Sequence, residues 1–446
     1  MSMSKYITNQ IMEEAIKALQ ELVAQPSYNQ APAPKAPFGK GIYLALNQMM
    51  ALCDRLGMHT YEDPEGYYGY AEIGEGKEIF GVIGHLDTVP AGDLSSWSIA
   101  PFTPLIKDGF IYGRGTQDDK GPTIAALFAL KSLLDAGLVP TKRIRFIFGT
   151  DEEILWRGIA KYNEKEAPID MGFSPDAEFP LTYAEKGLQQ SYLVGPGTDQ
   201  FSLHMDNAMN AVPAKADYAG PRLTEVKAAL DQHGFKYKDH GNSITVLGKS
   251  VHAMNAPQGV NAVLRLCIAL DDVFDFLPLD LIGKYFLEDA TGENLLGRVA
   301  DESGHLTFNI SSFEVNEKET RLQIDMRVPV TVDHDKLIKR LSQKVKAFDL
   351  TYEHFDYLAP LFVSKESKLV KTLMKVYQNV TGDTNAKPQI SGGATFARTM
   401  HNCVAFGGML PGVPDYMHQA NEQWSLSSMA KTMEIYAEAL RLLCFE

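Results

Sequence analysis

Five short motifs carry side chains that could bind metal ions and move protons. In chain order they are GHLDTVP, GRGTQDDKGP, FGTDEEILW, FSPDAEFP and YMHQANE. Their candidate residues are His85, Asp87, Asp118, Glu152, Glu153, Asp176 and His418. Two imidazoles, three metal-binding carboxylates and one further glutamate are what a hydrolase with two metal ions and its own general base requires. We interpret the set as a metallopeptidase site for very small substrates.

The motifs lie where an open α/β sheet would bring them together. Residues 79–84 and 143–150 are short apolar runs rich in β-forming residues, residues 171–174 are a shorter run, and a polar cluster begins where each run ends. In such sheets, ligands gather beyond the carboxyl ends of the strands. Asp118 precedes a predicted helix over 123–136, so we expect it in a loop that faces the same crevice.

The residue types suggest individual roles. Two divalent ions about 3.5–4 Å apart need a shared carboxylate to offset their repulsion and a water between them as nucleophile, and Asp118 is the candidate for the shared ligand. Asp87 lies two residues beyond His85, and we expect its carboxylate to accept the other ring N–H of His85. Adjacent side chains in DEE point in different directions. Glu153 is therefore assigned to the metal and Glu152 to general base and then general acid.

Each motif alone has an ordinary explanation. An HxD tripeptide is more often a strand end, DEE is usually a solvated helix start favoured by the helix dipole, and DDKG is compatible with a turn and a helix cap. A lone histidine such as His418 is more often a packed or exposed loop residue. The prediction therefore depends on the order of the motifs, their position at strand ends and the combined number of ligands.

Together the motifs resemble a known family. The segments that carry the resemblance are GHLDTVPAGD, IYGRGTQDDKGP, GTDEEILWRGI, FSPDAEFP, MHQANE and the closing IYAEAL. They are similar to the co-catalytic metallopeptidase family that includes aminoacylases, carboxypeptidase G, succinyl-diaminopimelate desuccinylase and carnosinases, and within it to the bacterial PepV-type dipeptidases. The resemblance covers essentially the whole chain. SPDAEFP and YGRGTQDDKGP are its more specific stretches.

The resemblance implies a division of the ligands between two ions. His85 and Asp176 would bind one ion, Glu153 and His418 the other, and Asp118 would bridge them. It also implies a cis peptide bond after Asp118. Asp87 would lie behind the ligands and Glu152 would act as the base, which agrees with the roles inferred from the residues themselves.

Further residues outside the five motifs also match the family. His252 in GKSVHAMNAP matches a lid histidine that stabilises the oxyanion, Asn210 in NAVP a substrate-contacting asparagine, and Arg327 in IDMRVP an arginine that binds the terminal carboxylate. The glycine-rich segment Ser391–Arg398 resembles a loop that closes the carboxylate subsite. The contacts expected from this loop are Gly393 and Thr395.

Without the resemblance, these positions have simpler explanations. His252 follows a predicted strand over 243–247 and would usually be a loop or capping residue. Arg327 lies near the end of a predicted strand over 321–328, where a surface salt bridge is the common role. The glycine-rich segment lacks the lysine of a P-loop and the strand–glycine pattern of a dinucleotide site.

Composition and periodicity predict the architecture. The 446 residues, 45% of them hydrophobic, suffice for two domains with cores of their own. We expect an α/β metal-binding domain, with a mixed sheet sandwiched by helices, from residues 1–187 and 364–446. An α+β lid with two repeated units, containing predicted helices 221–234 and 335–348, is expected from 188–363. The doubled lid suggests a monomer whose own lid closes the site.

Charge, cysteine content and hydropathy narrow the location and partners. A formal net charge of −14 argues against nucleic acid or anionic membrane partners. Four scattered cysteines predict reduced, buried thiols. The N-terminal segment 1–23 has an amphipathic helical pattern without the features of a signal peptide, and no segment approaches the roughly 20 apolar residues of a membrane span. A cytoplasmic enzyme is expected.

Three functions remain open at this point. The first is a dipeptidase that uses the free amine and carboxylate of its substrate, with Asp176 and Glu178 as candidate contacts for the amine. The second is an N-acyl-amino-acid deacylase with the same metals and Arg327. The third is an inert binding protein, which should have lost a ligand or Glu152, and none is missing. Zn²⁺ is the expected metal, with Mn²⁺ or Co²⁺ as alternatives.

Overall fold

The protein forms two compact units. A computed structural model describes residues 5–446, so the first four residues of the predicted N-terminal helical pattern lie outside the described part of the chain. The first unit comprises Met1–Tyr183, Leu361–Gln389 and Thr395–Glu446, and the second comprises Ala184–Pro360 and Ile390–Ala394. The second unit is therefore inserted into the sequence of the first.

A nine-stranded mixed sheet forms the centre of the first unit. Its strands lie in the order His59–Glu62, Gly69–Ile73, Arg143–Gly149, Ile79–His85, Met171–Ser174, Cys403–Ala405, Thr182–Glu185 and Leu361–Phe362, with Gln389–Ser391 paired to Thr182–Glu185. Strand Ile79–His85 runs parallel to both of its neighbours, Arg143–Gly149 and Met171–Ser174. The carboxyl ends of these three strands therefore meet at one edge of the sheet.

The three strands predicted from apolar runs are confirmed to within a residue. All seven residues of Ile79–His85 are buried, and so are all but the first residue of Arg143–Gly149. A strand that is buried on both faces needs an almost continuous apolar sequence, because chain covers it on each side. The predicted mixed sheet sandwiched by helices is thus confirmed.

Six α-helices accompany this sheet in the described part of the first unit. They are Asn9–Val23, Lys40–Arg55, Lys120–Asp135, Arg157–Lys165, Lys368–Thr381 and Leu426–Cys444. Helix Lys120–Asp135 begins three residues before the predicted start, because Pro122 fits in the first helical turn, where its missing N–H needs no partner. Thirteen of its sixteen residues are buried, as expected for a helix that is apolar on every side.

Two small sheets complete the first unit. One has the strand order Gln423–Ser425, Phe110–Tyr112 and Leu105–Lys107, and the other pairs Ala177–Glu178 with Gly408–Met409. Each of these sheets has a strand in or next to a predicted motif. Strand Gln423–Ser425 directly follows YMHQANE, and strand Ala177–Glu178 lies within FSPDAEFP. The segment over 26–38 carries no helix or strand.

The second unit has two antiparallel sheets. The larger has the order Thr307–Val315, Glu319–Val328, Gly187–Pro196 and Thr351–Leu358, and the smaller has the order Lys215–Tyr218, Ile244–Leu247 and Tyr237–Asp239. Its α-helices are Leu223–Gln232, Ala262–Asp271, Leu277–Asp280, Glu293–Leu296 and His334–Val345, with a π-helix over Leu281–Phe286 and 3₁₀ helices over Ala253–Gln258 and Lys346–Phe348. The two predicted helices, 221–234 and 335–348, are present with shorter α-helical spans. One continuous apolar core extends from Leu193 to Leu350 in sequence and joins both sheets.

The cysteines and the hydropathy of the helices agree with the sequence. Cys53, Cys267, Cys403 and Cys444 are buried and free, which confirms the predicted buried thiols. Within residues 5–446, each helix is too short or too polar to span a bilayer.

Substitution of Gly84, in the strand that ends at His85, tests how closely the chain at the start of helix Lys120–Asp135 packs against this strand. A Cβ at this position would lie 1.9 Å from Thr123 Oγ1 and 2.8 Å from Asp119 Oδ2. We expect Gly84→Ala to lower the free energy of unfolding by about 1–3 kcal/mol, as overpacking does. The matched control is Gly187→Ala, whose Cβ would approach Val328 only to 3.5 Å. Denaturant titration of both variants checks this, and equal midpoints would contradict it.

Candidate metal centre

The carboxyl ends of the three parallel strands deliver most of the predicted site. His85 is the last residue of its strand, Glu152 and Glu153 follow strand Arg143–Gly149, and Asp176 follows strand Met171–Ser174. Because parallel strands end at the same edge, these side chains converge although they are far apart in sequence. The loop before helix Lys120–Asp135 adds Asp118, as predicted.

The first ligand group contains His85, Asp118 and Asp176. One ligand atom from each residue lies within 4.8 Å of the others. His85 Nε2 is 2.9 Å from Asp118 Oδ1 and 3.6 Å from Asp176 Oδ2. The imidazole is fully buried, and its Nε2 makes no well-aligned hydrogen bond within the described chain. The atoms therefore point toward a common position rather than only at one another.

The second ligand group contains Asp118, Glu153 and His418. His418 Nε2 lies 2.9 Å from Asp118 Oδ2 and 3.0 Å from Glu153 Oε2. Asp118 thus belongs to both groups and offers a different carboxylate oxygen to each. The peptide bond between Asp118 and Asp119 is cis, as the family resemblance implied.

Asp87 contacts both the His85 ring and the turn that carries Glu152 and Glu153. Its main-chain carbonyl is 3.0 Å from His85 Nδ1, whereas its carboxylate is 3.5 Å away. The carboxylate instead accepts the main-chain N–H groups of Glu152 and Glu153, each at 3.1 Å. The expected partner of the imidazole was the carboxylate, but the closer contact is the carbonyl, because the carboxylate is occupied by the turn that carries both glutamates.

Glu152 belongs to neither ligand group. Its side chain is partly buried beside them, and burial raises its pKa well above the ordinary value of a glutamate. The negative charges of Glu153 and Asp118 raise this pKa further, while His85 acts in the opposite direction. A carboxylate so placed can hold a proton without being needed as a ligand.

The charges of the site fit divalent cations. Burial raises the pKa of Asp176, and the charge of Asp118 raises it further. Burial also favours protonation of Asp118, but the close approach of the His418 and His85 imidazoles outweighs it and lowers that pKa. Several buried carboxylates around two imidazoles leave an excess of negative charge, which is costly unless cations balance it. Carboxylate oxygens and imidazole nitrogens, with no cysteine among them, suit Zn²⁺ and related ions.

Glu422 organises the loop that carries Asp118, and the sequence analysis did not single it out. The carboxylate is buried and forms an ion pair with Arg114 at 2.8 Å. It also accepts the main-chain N–H groups of Gly115, Gln117 and Asp118 at 3.0, 2.8 and 3.3 Å. Burial raises the pKa of Glu422 to about 7. Its place in the same motif as His418 was the signal available in the sequence.

Gln117 ties the two ligand-bearing loops together. Its side-chain amide donates to the carbonyls of Pro414 and Gln423 at 3.0 and 2.9 Å and accepts the N–H of Tyr416 at 2.8 Å. These contacts flank His418. The relative position of Asp118 and His418 is therefore fixed by protein hydrogen bonds as well as by any shared ion.

The remaining predicted residues lie mostly in the second unit. His252 Nδ1 accepts the N–H of Met254 at 3.2 Å, and the carbonyl of Asn210 accepts the N–H of Ala253 at 2.8 Å, so His252 and Asn210 belong to adjoining segments. Arg327 is buried and hydrogen-bonded to Asp325, which the sequence analysis also missed. The signal was the i, i+2 spacing, which puts both side chains on one face of the strand.

The glycine-rich segment spans both units. Gly393 lies in the second unit, and its N–H donates to Ser391 Oγ at 2.9 Å. Thr395 is buried in the first unit, where its hydroxyl accepts the N–H of Ala397 and caps a short helical turn. The two residues are therefore placed by different parts of the fold.

Comparison with known proteins identifies the family. A model of peptidase family M20/M25/M40 matches residues 81–442, which is most of the chain and includes all five motifs. The chain belongs to this family. It is a peptide-bond hydrolase, and the resemblance stated from its motifs is confirmed.

Relatives of this peptidase are similar over nearly their whole length. The putative dipeptidase YtjP of Bacillus subtilis is 35% identical over 458 residues, with 96% of each chain covered. The Beta-Ala-Xaa dipeptidase of Lactobacillus delbrueckii is 33% identical over 461 residues, with 95% of each covered. The crystal structure of an aminoacylhistidine dipeptidase from Vibrio alginolyticus shares the fold, with a TM-score of 0.62 at 11% identity over 99% of this chain and 98% of that one.

Replacement of Glu422 tests the anchoring of the Asp118 loop. Glu422→Gln leaves the buried Arg114 without a counter-charge and points an amide toward main-chain donors. We expect a loss of about 3–5 kcal/mol in the free energy of unfolding, the usual effect of breaking a buried ion pair, together with less bound metal. Thermal unfolding and metal analysis check this.

The control for this experiment is Glu164→Gln, which removes the exposed ion pair with Lys161. It should change neither quantity measurably, because solvent screens such pairs. A Glu422→Gln variant with the stability and metal content of the parent would show that Glu422 does not anchor the loop.

Proposed function

We propose that this peptidase is a metal-dependent dipeptidase that cleaves dipeptides with free amino and carboxyl termini. The observation that carries the proposal is the shared carboxylate of Asp118, whose two oxygens each approach a different ligand group. Relatives of 33–35% identity over nearly the whole chain are named dipeptidases or putative dipeptidases, which supports the same substrate class.

We propose that two divalent ions bind per chain. His85, Asp176 and Asp118 Oδ1 would hold one, and Glu153, His418 and Asp118 Oδ2 the other. Zn²⁺ is the first candidate, with Mn²⁺ and Co²⁺ as alternatives that the same ligands accept. When bound, such ions polarise the scissile carbonyl and lower the pKa of water.

Glu152 is the proposed general base. It takes a proton from the attacking water and passes it to the nitrogen of the leaving amine, so that one carboxylate serves as base and then acid. The Asp87 carboxylate supports this role, because it fixes the main chain at Glu152 and Glu153 and so holds the base and the ligand apart. In this scheme Asp87 takes no part in proton transfer itself but positions the two glutamates.

His252 is the proposed donor to the oxyanion. Its Nδ1 accepts a main-chain N–H, so the proton of a neutral ring is on Nε2. Partial burial lowers the pKa of His252, and the charge of Arg327 lowers it further, which favours the neutral ring. A neutral imidazole with its proton on Nε2 can donate a hydrogen bond to an oxygen that gains negative charge.

The substrate termini would be held by the other predicted residues. Arg327 binds the free carboxylate, with Asn210, Gly393 and Thr395 as further contacts, and Glu178, which is exposed, remains the candidate for the amine. We propose that residues 1–187 and 364–446 form the catalytic domain and 188–363 a lid that serves its own chain in a monomer. The cytoplasmic location stays a prediction.

A hydrolysis panel tests the substrate class. The metal-reconstituted protein is given dipeptides, tripeptides and N-acetyl amino acids with matched side chains. Dipeptides should be cleaved and tripeptides hardly at all. The reason is that Arg327 would fix the terminal carboxylate at one distance from the metal ions, and this distance suits the peptide bond of a dipeptide. Efficient release from N-acetyl substrates with inert dipeptides would make the protein an N-acyl-amino-acid deacylase instead.

The two glutamates of DEE can be separated by substitution. Glu152→Gln keeps the size of the side chain but cannot take a proton, so kcat should fall by about 10²–10⁴-fold while metal content hardly changes. Glu153→Gln should lower metal occupancy, with activity partly restored by excess metal, because an amide is a poorer ligand than a carboxylate. Metal analysis alongside kinetics decides, and the opposite pattern would exchange the two roles.

A further inference from the structure

Arg327 donates three hydrogen bonds within the second unit. Its Nε and Nη2 donate to the two carboxylate oxygens of Asp325 at 2.8 and 3.1 Å, and its Nη1 donates to the carbonyl of Gly392 at 2.8 Å. The side chain is buried, with 3% exposure, and so is Asp325, with none. This is therefore not the surface salt bridge that the strand pattern alone suggested.

A count of donors shows what remains available on the guanidinium. Arginine has five N–H groups in a planar fork. Asp325 uses two of them along one edge and Gly392 uses a third, which leaves one N–H on each terminal nitrogen. Two N–H groups on adjacent terminal nitrogens fit the two oxygens of one carboxylate.

Asp325 is itself held from the neighbouring strand. Gln190 is the cross-strand partner of Asp325 in the larger sheet, and its side-chain amide donates to Asp325 Oδ2 at 2.9 Å. Asp325 and Arg327 are two residues apart on one strand and therefore project from the same face. The carboxylate can neither rotate nor withdraw without losing hydrogen bonds that burial makes costly to break.

The third contact of Arg327 is also confined. Gly392 packs so closely that a Cβ at this position would lie 2.7 Å from the Cβ of Met254, the residue whose N–H fixes the His252 ring. The Gly392 carbonyl, which accepts the hydrogen bond from Arg327 Nη1, therefore belongs to a tightly packed segment. A flexible arginine loses conformational entropy when it binds a ligand. A side chain that is already ordered avoids this loss when the substrate binds.

We propose that Asp325 is a positioning residue that determines which edge of Arg327 is presented and thereby makes the protein selective for substrates with a free terminal carboxylate over the corresponding amide. This rests on the proposed function, in which Arg327 binds that carboxylate. An amide presents one acceptor and one NH₂ group, and the NH₂ group faces a donor, so the oriented edge rejects it.

The experiment compares a dipeptide with its C-terminal amide on the full-length, metal-loaded protein. Both share the scissile bond, so their ratio of kcat/KM reports only on the terminus. The parent should prefer the acid. Asp325→Asn should reduce this preference by about tenfold or more, mainly through a higher KM for the acid, with little change for the amide.

The control variant is Asp301→Asn, which removes an acid of the same unit that accepts hydrogen bonds from Ser303 and Thr331. It should leave the acid-to-amide ratio unchanged. Gln190→Ala is the second test variant, since it loosens Asp325 without unpairing Arg327, and it should reduce the ratio in the same direction by a smaller factor. It decides the question if Asp325→Asn does not fold.

The outcomes distinguish the positioning role of Asp325 from the carboxylate-binding role of Arg327. An equal loss for acid and amide in Asp325→Asn, or an unchanged ratio in folded Gln190→Ala, would make Asp325 a structural residue and overturn the inference. A parent protein without preference for the acid would overturn the proposed role of Arg327 itself. If only N-acetyl amino acids are cleaved, the same acid and amide pair in that series gives the same test.

Discussion

The carboxylate of Asp118 approaches two imidazoles at once, each at 2.9 Å and each through a different oxygen. Much else in the first unit can be understood as a consequence of keeping that carboxylate in place. It is surrounded by other acids, so its position is unfavourable unless positive charge occupies both sides. The protein meets this constraint by fixing the backbone on either side of Asp118, so that the ligand atoms do not depend on the cations alone for their arrangement.

Three separate connections supply that rigidity. Glu422 accepts hydrogen bonds from the N–H groups of the loop that carries Asp118, and Gln117 joins this loop to the segment around His418. Asp87 accepts hydrogen bonds from the turn that carries Glu152 and Glu153. In each case a side chain binds main chain, which fixes direction more firmly than a contact between two flexible side chains. Ligands presented in this way need little reorganisation when metal binds.

The sequence predicted the strands of the central sheet well, because each is a local pattern, and it singled out the candidate ligands that the structure brings together. The apolar run of Ile79–His85 and the capped helix Leu426–Cys444 reveal themselves within a few residues. The contacts of Glu422 and Asp325 could not be predicted in the same way. Glu422 acts on residues some 300 positions earlier in the chain, and Asp325 on a side chain whose role depends on a loop near residue 392.

The helix over Lys120–Asp135 shows the same limit on a smaller scale. Its start was placed late because glycine and proline at positions 121 and 122 look like the end of a loop, whereas the first turn of a helix tolerates both. For a related reason, the contact of His85 was expected at the Asp87 carboxylate, which lies at 3.5 Å, whereas the closer contact is the Asp87 carbonyl at 3.0 Å. Sequence spacing indicates which residues meet, but not whether the carbonyl or the carboxylate makes the contact.

The order of the central sheet has a consequence for the synthesis of the protein. Strand Cys403–Ala405 lies between Met171–Ser174 and Thr182–Glu185, although more than 200 residues separate it from either in sequence. A nascent chain that has left the ribosome as far as residue 360 still lacks this inner strand, the fifth ligand and the Glu422 anchor. The proposed metal centre can therefore form only after residues 403–422 have been synthesised, more than 200 residues after Asp176, and its ions would bind at that stage or later.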